Sequence, residues 1–115
     1  MHIDKFTIAV TAMEDMVTFY NAVFDAGLTP IPDTPFYAGK LGAMQLLFCP
    51  NTITQIEAEK NRIQMRLVVD DIAALIATAA ANGGGAYGDP HEDDTQMMHG
   101  ISDPDGNSFE LIRFK

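Results

Sequence analysis

The chain has 115 residues, of which 47% are hydrophobic, and a formal net charge of -9. It has the length of one domain and can bury a core without disulfides or a structural metal, while its acidity disfavours nucleic acid and membrane surfaces and favours a neutral or cationic ligand. No apolar run reaches the roughly 20 residues that span a bilayer, and the start lacks a signal-peptide pattern, so we expect a cytoplasmic protein without membrane contacts.

The first half begins with a strand followed by a helix. Apolar and polar residues alternate from Phe6 to Val10, which predicts a half-buried strand. Thr11 and Glu14 have the spacing of a capping box and predict the helix start. An apolar stripe along the helix then faces the core, and Gly27 is expected to end the helix in the left-handed conformation.

The rest of the first half is predicted as strands and a connector. Prolines interrupt residues 28–40, which predicts two short strands or an edge strand with a loop. Residues 43–49 are expected to form a buried strand in which Cys49 is an inert thiol and not a nucleophile. Residues 50–61 are polar and predict a connector, with one helical turn in residues 55–60.

The same pattern restarts in the second half. Residues 64–69 alternate and predict a strand, after which Asp70 or Asp71 caps a helix. The glycine run at residues 82–85 follows a helix instead of opening one, so it predicts a turn and not a phosphate-binding loop. Residues 86–94 are predicted to be a mobile acidic loop.

A hairpin closes the chain. Residues 95–102 and 108–114 are predicted strands joined by a turn at residues 103–107. The acidic residues of the turn lack the spacing of an EF-hand, so turn chemistry is the better interpretation than calcium binding. Folding about this turn places Gly100 opposite Glu110.

The two halves repeat each other weakly. Residues 6–10 align with residues 65–69, and residues 44–47 with residues 109–112, which makes Lys5 equivalent to Gln64 and Gln45 to Glu110. One face of the four strands is apolar, and we expect the other face to line a concave site, with an ordinary solvated sheet face as the alternative. The polar residues of this second face are Lys5, Thr7, Gln45, Gln64, Arg66 and Glu110.

The sequence resembles the vicinal oxygen chelate superfamily, which contains glyoxalases, bleomycin resistance proteins and extradiol dioxygenases. The resemblance is carried by the opening strand, Phe19 and Tyr20 with the Gly27-Leu28 pair, the restart at residues 67–70 and, most specifically, residues 103–111. It implies an α+β fold in which two βαβββ modules form a curved mixed sheet around a cup-shaped site, commonly in a homodimer.

The resemblance also implies a division of the chain. We predict a single domain over residues 1–115 that contains a first module over about residues 1–50, a linker over residues 51–61 and a second module over about residues 62–115.

Enzymes of this superfamily often hold one divalent metal with four side chains, which the alignment places at Lys5, Gln45, Gln64 and Glu110. Only Glu110 is an ordinary ligand, since a protonated lysine has no lone pair and neutral amides bind divalent ions weakly. We therefore predict no metal and no cofactor. The Lys5 ammonium is expected to take the place of the ion, within hydrogen-bond distance of Glu110 in the same chain or across a dimer.

Two further residues join the candidates, and the histidines of the second half are set aside. Met98 and Tyr37 are added to the predicted ligand-binding set, whereas His99 should lie on the other face of its strand and point away from the site. His91 and the acidic residues 92–94 are interpreted as a solvated loop and not as a metal cluster.

These observations predict a metal-free small-molecule-binding protein of the glyoxalase/bleomycin-resistance type that works as a homodimer on a neutral or cationic ligand. The alternative is a lyase, isomerase or dioxygenase of the same superfamily, metal-dependent or acid-base, in which Glu110 is the general base and Lys5 or Arg66 stabilises an anion. A third possibility is a structural or regulatory dimer with an occluded cup.

Overall fold

A computed structural model describes residues 2–59 and 63–115. The chain divides into two compact units, Met1–Glu57 and Ala58–Lys115, which we call the N-terminal and the C-terminal unit. Each unit contains its own four-stranded sheet. Within the described residues, none of the helices combines the length and apolarity that crossing a bilayer requires.

The N-terminal unit has strand order β1-β4-β3-β2, with β1 parallel to β4 and the remaining neighbours antiparallel. Its elements are β1 Lys5–Val10, α1 Met13–Phe24, β2 Thr29–Pro30, β3 Tyr37–Leu41, β4 Met44–Pro50 and the short α2 Asn51–Thr54.

The C-terminal unit repeats this arrangement with strand order β5-β8-β7-β6 and β5 parallel to β8. Its elements are β5 Met65–Val68, α3 Ile72–Ala81, β6 Gly85–Glu92, β7 Gln96–Ser102 and β8 Ser108–Phe114. Both units therefore have the predicted βαβββ order, and the α+β fold class with its mixed sheets is confirmed.

The ends of α1 differ from the prediction. Its N-cap residue is Ala12, which makes no side-chain cap hydrogen bond, so the predicted Thr11-Glu14 capping box does not set the helix start. The C-cap is Asp25 in the left-handed conformation at φ 51°, two residues before Gly27. An aspartate tolerates this conformation because its short polar side chain can bond locally. The glycine is also at positive φ, but beyond the helix.

The start of α3 agrees with the sequence. The Asp71 carboxylate accepts a hydrogen bond of 3.0 Å from the backbone N–H of Ala74, which satisfies one of the free donors of the first turn. In the connector the helical turn lies at residues 51–54, so the turn predicted at residues 55–60 is wrong for the described residues 55–59. The backbone N–H of Ile56 donates a 2.9 Å hydrogen bond to Asn51 Oδ1, which stabilises the end of this turn.

Residues 86–94 are the largest error of the prediction, because most of them belong to strand β6 and not to a loop. This strand lies at a sheet edge, and all its residues after Gly85 are exposed, so no apolar alternation marks it. It also contains Gly88, Asp89 and Pro90, residue types that are depleted in strands. The pairing with β7 is irregular between Tyr87 and His91.

The turn before β8 is built on a buried aspartate. Asp103 is 3% exposed, and its carboxylate accepts hydrogen bonds from the backbone N–H groups of Asp105 and Asn107 at 3.0 and 2.8 Å. The Asn107 side chain donates a third bond at 2.8 Å. The carboxylate is thus used inside the turn, as the sequence predicted for residues 103–107.

The cores of the two units are packed differently. In the N-terminal unit, Tyr20 of α1 meets Phe48 of β4 edge-to-face, with ring centroids 4.9 Å apart. Cys49 is 5% exposed, as expected for a structural thiol. In the C-terminal unit, the alanine-rich α3 buries only Ile72 and Ala79 among its described residues.

Candidate functional site

In the N-terminal unit, the predicted residues Lys5 and Gln45 form a row across the sheet together with Lys40, which was not predicted. Lys5 of β1 and Lys40 of β3 both pair with Gln45 of β4, so these three share one face. All three are exposed. Thr7 pairs with Leu47 and lies on the same face one pleat further along.

Tyr37 does not belong to this row. It pairs with Phe48 in the β3-β4 ladder, and Phe48 is the residue that contacts Tyr20 of α1. Paired residues point to the same side of a sheet, so the register places Tyr37 on the face that α1 covers, opposite Lys5 and Gln45.

In the C-terminal unit, the residue next to Glu110 is Arg66 and not Gln64. Arg66 of β5 pairs with Glu110 of β8 in the parallel ladder, and its Nε lies 2.8 Å from Glu110 Oε1. Gln64 lies two residues earlier, where its Nε2 donates a 2.9 Å hydrogen bond to Ser108 Oγ.

The sheet register also shows that the two halves are not superimposable residue by residue. Phe6 pairs with Leu46, whereas Met65, its aligned equivalent, pairs with Phe109. If Lys5 were equivalent to Gln64 and Gln45 to Glu110, Gln64 would pair with Glu110, as Lys5 pairs with Gln45. Glu110 pairs instead with Arg66, two residues further along, so the two alignments cannot both hold. Such a shift preserves the face of the strand, so it is invisible in an apolar-polar pattern.

Glu110 borders a cleft of about 240 Å³, which we call the Glu110 cleft. It holds three of the predicted ligand-binding residues, Gln64, Met98 and Glu110. The sequence missed most of the remaining wall, which comes from β6, β7 and β8: Tyr87, Gly88, Asp89, His91, His99, Gly100 and Phe109. The mistaken loop at residues 86–94 explains most of these omissions.

The Glu110 side chain is partly exposed at the cleft. The side chain as a whole is 31% exposed, while its Oε1 is buried and lies 2.8 Å from the Arg66 Nε. This oxygen is therefore occupied by the guanidinium, with which it forms an ion pair. Since Arg66 is 56% exposed, the pair contributes only about 0–1 kcal/mol to stability.

Gly100 lets the edge strand approach closely beside this carboxylate. It pairs with Glu110 on one side, as predicted, and with Tyr87 on the other. A Cβ atom built on Gly100 would lie 2.4 Å from the Tyr87 carbonyl oxygen, so any other residue would push the edge strand away. The close approach of the two strands at this position therefore favours glycine.

A second cleft of about 350 Å³ lies beside α3, and we call it the α3 cleft. Its wall combines apolar residues of the helix with residues of the β6-β7 hairpin. These are Ile72, Ala73, Ile76, Pro90, His91, Glu92, Met97, Met98 and His99. Three residues, His91, Met98 and His99, therefore border both clefts, and the expectation that His99 points away from the site holds only in part.

A carboxylate at the end of the β6-β7 hairpin has a shifted pKa. The backbone N–H of Thr95 donates to Asp93 Oδ1 at 2.8 Å, and the Thr95 hydroxyl does so at 2.9 Å. These bonds favour the charged form and lower the pKa of Asp93 below its ordinary value. The Asp93 carboxylate thus stabilises the turn between β6 and β7.

The residues of this unit that align with the superfamily's metal ligands do not fit a divalent metal. Glu110 faces the Arg66 guanidinium at 2.8 Å, and the Gln64 amide is already oriented by its bond to Ser108. Within residues 2–59 and 63–115 no three side chains of histidine, cysteine, aspartate or glutamate gather as a metal site would require.

A family model described as glyoxalase-like domain matches residues 5–112. No curated protein sequence is significantly similar to the chain. Among solved structures, a glyoxalase/bleomycin resistance protein/dioxygenase family enzyme from Burkholderia phytofirmans PsJN is similar with a TM-score of 0.79 and 19% identity, covering 97% of this chain and 98% of its own.

Two further solved structures have names that mention antibiotics. The fosfomycin resistance protein FosX from Mesorhizobium loti has a TM-score of 0.74 and 18% identity, with 97% of this chain and 91% of that one covered. TnmS3, an antibiotic binding protein from Streptomyces sp. CB03234, has a TM-score of 0.69 and 21% identity, with 100% and 97% covered. At these identities the likeness concerns the fold.

Proposed function

This chain belongs to the glyoxalase-like domain family, and we propose from that premise that it binds a neutral or cationic small molecule without a metal. The binding site of the proposal is the Glu110 cleft. The protein is then a carrier or a sequestering protein of the glyoxalase/bleomycin-resistance type.

The observation that carries this proposal is the Glu110 carboxylate at the wall of a cleft of about 240 Å³, where its side chain is 31% exposed while Arg66 pairs with Oε1. A carboxylate accepts several hydrogen bonds, and its charge makes them strong. A ligand with an N–H or O–H group can donate to the exposed part of this carboxylate. Such a ligand fits the site better than an anion does.

The charges around the cleft favour the same class of ligand. Asp89 and Glu110 border it, whereas Arg66 supplies one positive charge next to Glu110. The carboxylates exceed the cations here, and the whole chain carries a net charge of -9. A cationic group would therefore be attracted both at long range and in the cleft.

The similar proteins suggest which molecules to test first. One is named an antibiotic binding protein and another a fosfomycin resistance protein. The present chain has no tryptophan to stack on a large flat ring. Hydrogen bonding and charge should thus count for more than ring stacking in its choice of ligand.

Two further parts of the proposal concern assembly and Lys5. We propose that the protein is a cytoplasmic homodimer and that the Lys5 ammonium lies within hydrogen-bond distance of a Glu110 carboxylate, in the same chain or across the dimer. Because a lysine and a carboxylate in a closed site satisfy each other, a ligand cation would compete with Lys5 for Glu110.

The proposal is tested by calorimetric titration of protein treated with a chelator, using metal-free bleomycin and agmatine as cations, chloramphenicol as a neutral probe and fosfomycin as an anion. We expect at least one cationic or neutral probe to bind, and Glu110→Gln to weaken it by about tenfold, which corresponds to about 1.4 kcal/mol. The matched control is Glu59→Gln, which removes a charge from an exposed position outside the cleft.

Either of two results would overturn this proposal. The first is binding that requires added nickel, zinc, iron or manganese at stoichiometric amounts. The second is an equal response of Glu110→Gln and Glu59→Gln to every probe, because the cleft would then not be the site.

The Arg66-Glu110 pair favours one alternative, an acid-base enzyme. A carboxylate held 2.8 Å from a guanidinium is paired with a group that can stabilise an anion formed from a carbon acid. Deuterium exchange at the carbon next to the carbonyl of small ketones and hemithioacetals would detect this chemistry. Exchange that disappears in Glu110→Gln would make the alternative the better account.

A further inference from the structure

The ladder between β6 and β7 is interrupted beside the Glu110 cleft. Tyr87 pairs with Gly100 and His91 pairs with Met98, so three residues of β6 face the single residue His99 of β7. Gly88 in this bulge has a φ of 72°, and the proline at position 90 has no backbone N–H to donate. The bulged residues 88–90 therefore need a partner outside the ladder.

His99 is that partner. Its Nε2 lies 3.0 Å from the carbonyl oxygen of Gly88. A carbonyl only accepts, so Nε2 must carry the proton in this arrangement. The imidazole thus connects the bulge to strand β7 by a side-chain hydrogen bond, where the ladder is interrupted.

The bulge forms part of the wall of both clefts. Gly88 and Asp89 border the Glu110 cleft, and the next residue, Pro90, borders the α3 cleft. The bulge lies on an exposed edge strand, and the hydrogen bond to His99 connects it to the sheet. The position of the Asp89 carboxylate is therefore controlled by how firmly the bulge is held.

We infer that His99 is a positioning residue, which holds the bulge at residues 88–90 so that Asp89 faces the ligand together with Glu110. The inference rests on the proposed function for its ligand, but the hydrogen bond and the bulge exist independently of it. His99 acts through the Gly88 carbonyl and not by contact with the ligand.

The inference is tested with His99→Leu, which removes the donor, and His99→Gln, which keeps an N–H at the end of its side chain. For metal-free bleomycin, or agmatine if it binds more tightly, we expect about tenfold weaker binding in His99→Leu and about twofold in His99→Gln. His91→Leu is the matched control, since it removes an imidazole from the same wall but not the bond to Gly88. It should weaken binding less than His99→Leu does.

A second experiment separates positioning from a merely structural role. In an Asp89→Asn background, His99→Leu should weaken binding by less than about twofold, because the group that it positions is already altered. Equal losses with and without Asp89→Asn would overturn the inference. So would an equal loss in His99→Gln and His99→Leu.

Hydrogen exchange keeps the test decisive if no probe binds. The amides of Tyr87 and His91, which lie at the two ends of the interruption in the ladder, should exchange at least about tenfold faster in His99→Leu than in the wild type, while those of β8 stay unchanged. Unchanged exchange of these two amides would overturn the inference. Absence of probe binding with faster bulge exchange would instead reject the proposed function and retain the bulge contact.

Discussion

The two units share the βαβββ order but differ in how the helix covers its sheet. In the N-terminal unit, α1 buries four residues, Met16, Phe19, Tyr20 and Val23. In the C-terminal unit, α3 buries two, Ile72 and Ala79, and a cleft remains beside it. The comparison shows that small side chains on a helix leave room where aromatic side chains fill it.

The polar faces of the two sheets carry different residues at equivalent strand positions. In the N-terminal unit the row is Lys5, Gln45 and Lys40, and in the C-terminal unit it is Arg66, Glu110 and Gly100. Both rows start with a cation on the outer parallel strand. Only the second continues with a carboxylate and then a glycine, beside which the Tyr87 carbonyl of the edge strand approaches closely.

The largest expected effect concerns the packing of the two cores. Phe48→Ala should lower the free energy of unfolding by about 4 kcal/mol, because Phe48 is fully buried against Tyr20. Ile76→Ala, in the half-exposed wall of the α3 cleft, should cost only about 1 kcal/mol. Urea denaturation measures both, and equal losses would show that the packing of the two units does not differ as described.

A smaller effect is expected at the strand glycines. A Cβ atom on Gly39 would lie 2.4 Å from the Ala26 carbonyl oxygen. The segment that contains Ala26 is held in place because the backbone N–H of Leu28 donates a 2.7 Å hydrogen bond to Asn21 Oδ1. Gly39→Ala should therefore cost about 3 kcal/mol, whereas Gly100→Ala should cost about 1 kcal/mol because the edge strand with Tyr87 can move. Thermal unfolding compares them.

The same glycine pair separates stability from binding. Gly100→Ala should weaken binding of a ligand in the Glu110 cleft, whereas Gly39→Ala, in the other unit's sheet, should destabilise the fold without altering that cleft. A cost for Gly100→Ala as large as that for Gly39→Ala would mean that the edge strand is as firmly held as the core segment.

The next prediction concerns the two rows. A double-mutant cycle of Arg66→Gln and Glu110→Gln should give a coupling free energy of about 0.5–1 kcal/mol in urea denaturation, decreasing with salt. Replacing Arg66→Gln by Lys5→Gln in the cycle tests the predicted contact between Lys5 and Glu110. A coupling near zero in that second cycle would reject the contact and leave Arg66 as the partner of this carboxylate.

The smallest effect is confined to the end of the β6-β7 hairpin. Because the folded pKa of Asp93 is below its unfolded value, its stabilising effect is present above the unfolded value of 3.8 and disappears as the pH falls through the folded pKa. NMR should show a chemical-shift change of the Thr95 amide in that acidic range. A Thr95 amide that does not respond there would show that the carboxylate does not hold the turn.

Some site residues could be predicted because they lie in strongly patterned strands. Glu110, Arg66 and Gln64 follow from alternation in β5 and β8, and Gly100 follows from the turn that sets the register of the final hairpin. Asp89 and His91 could not be predicted this way, because β6 is exposed along its length and contains glycine and proline. The hydrogen bond of His99 depends on a bulge that has no marker in the sequence beyond those residues.

The sequence by itself determined the two βαβββ units, an aspartate cap at residue 70 or 71, the turn on Asp103 and the polar faces of the sheets. These features depend on local conformation and on side-chain alternation, which residues a few positions apart specify. The tertiary structure decided which polar residues are neighbours. Strand register, the bulge opposite His99 and the approach of the Tyr87 carbonyl to Gly100 arise from contacts between distant segments, and a shift of two residues changes every pair without changing the pattern.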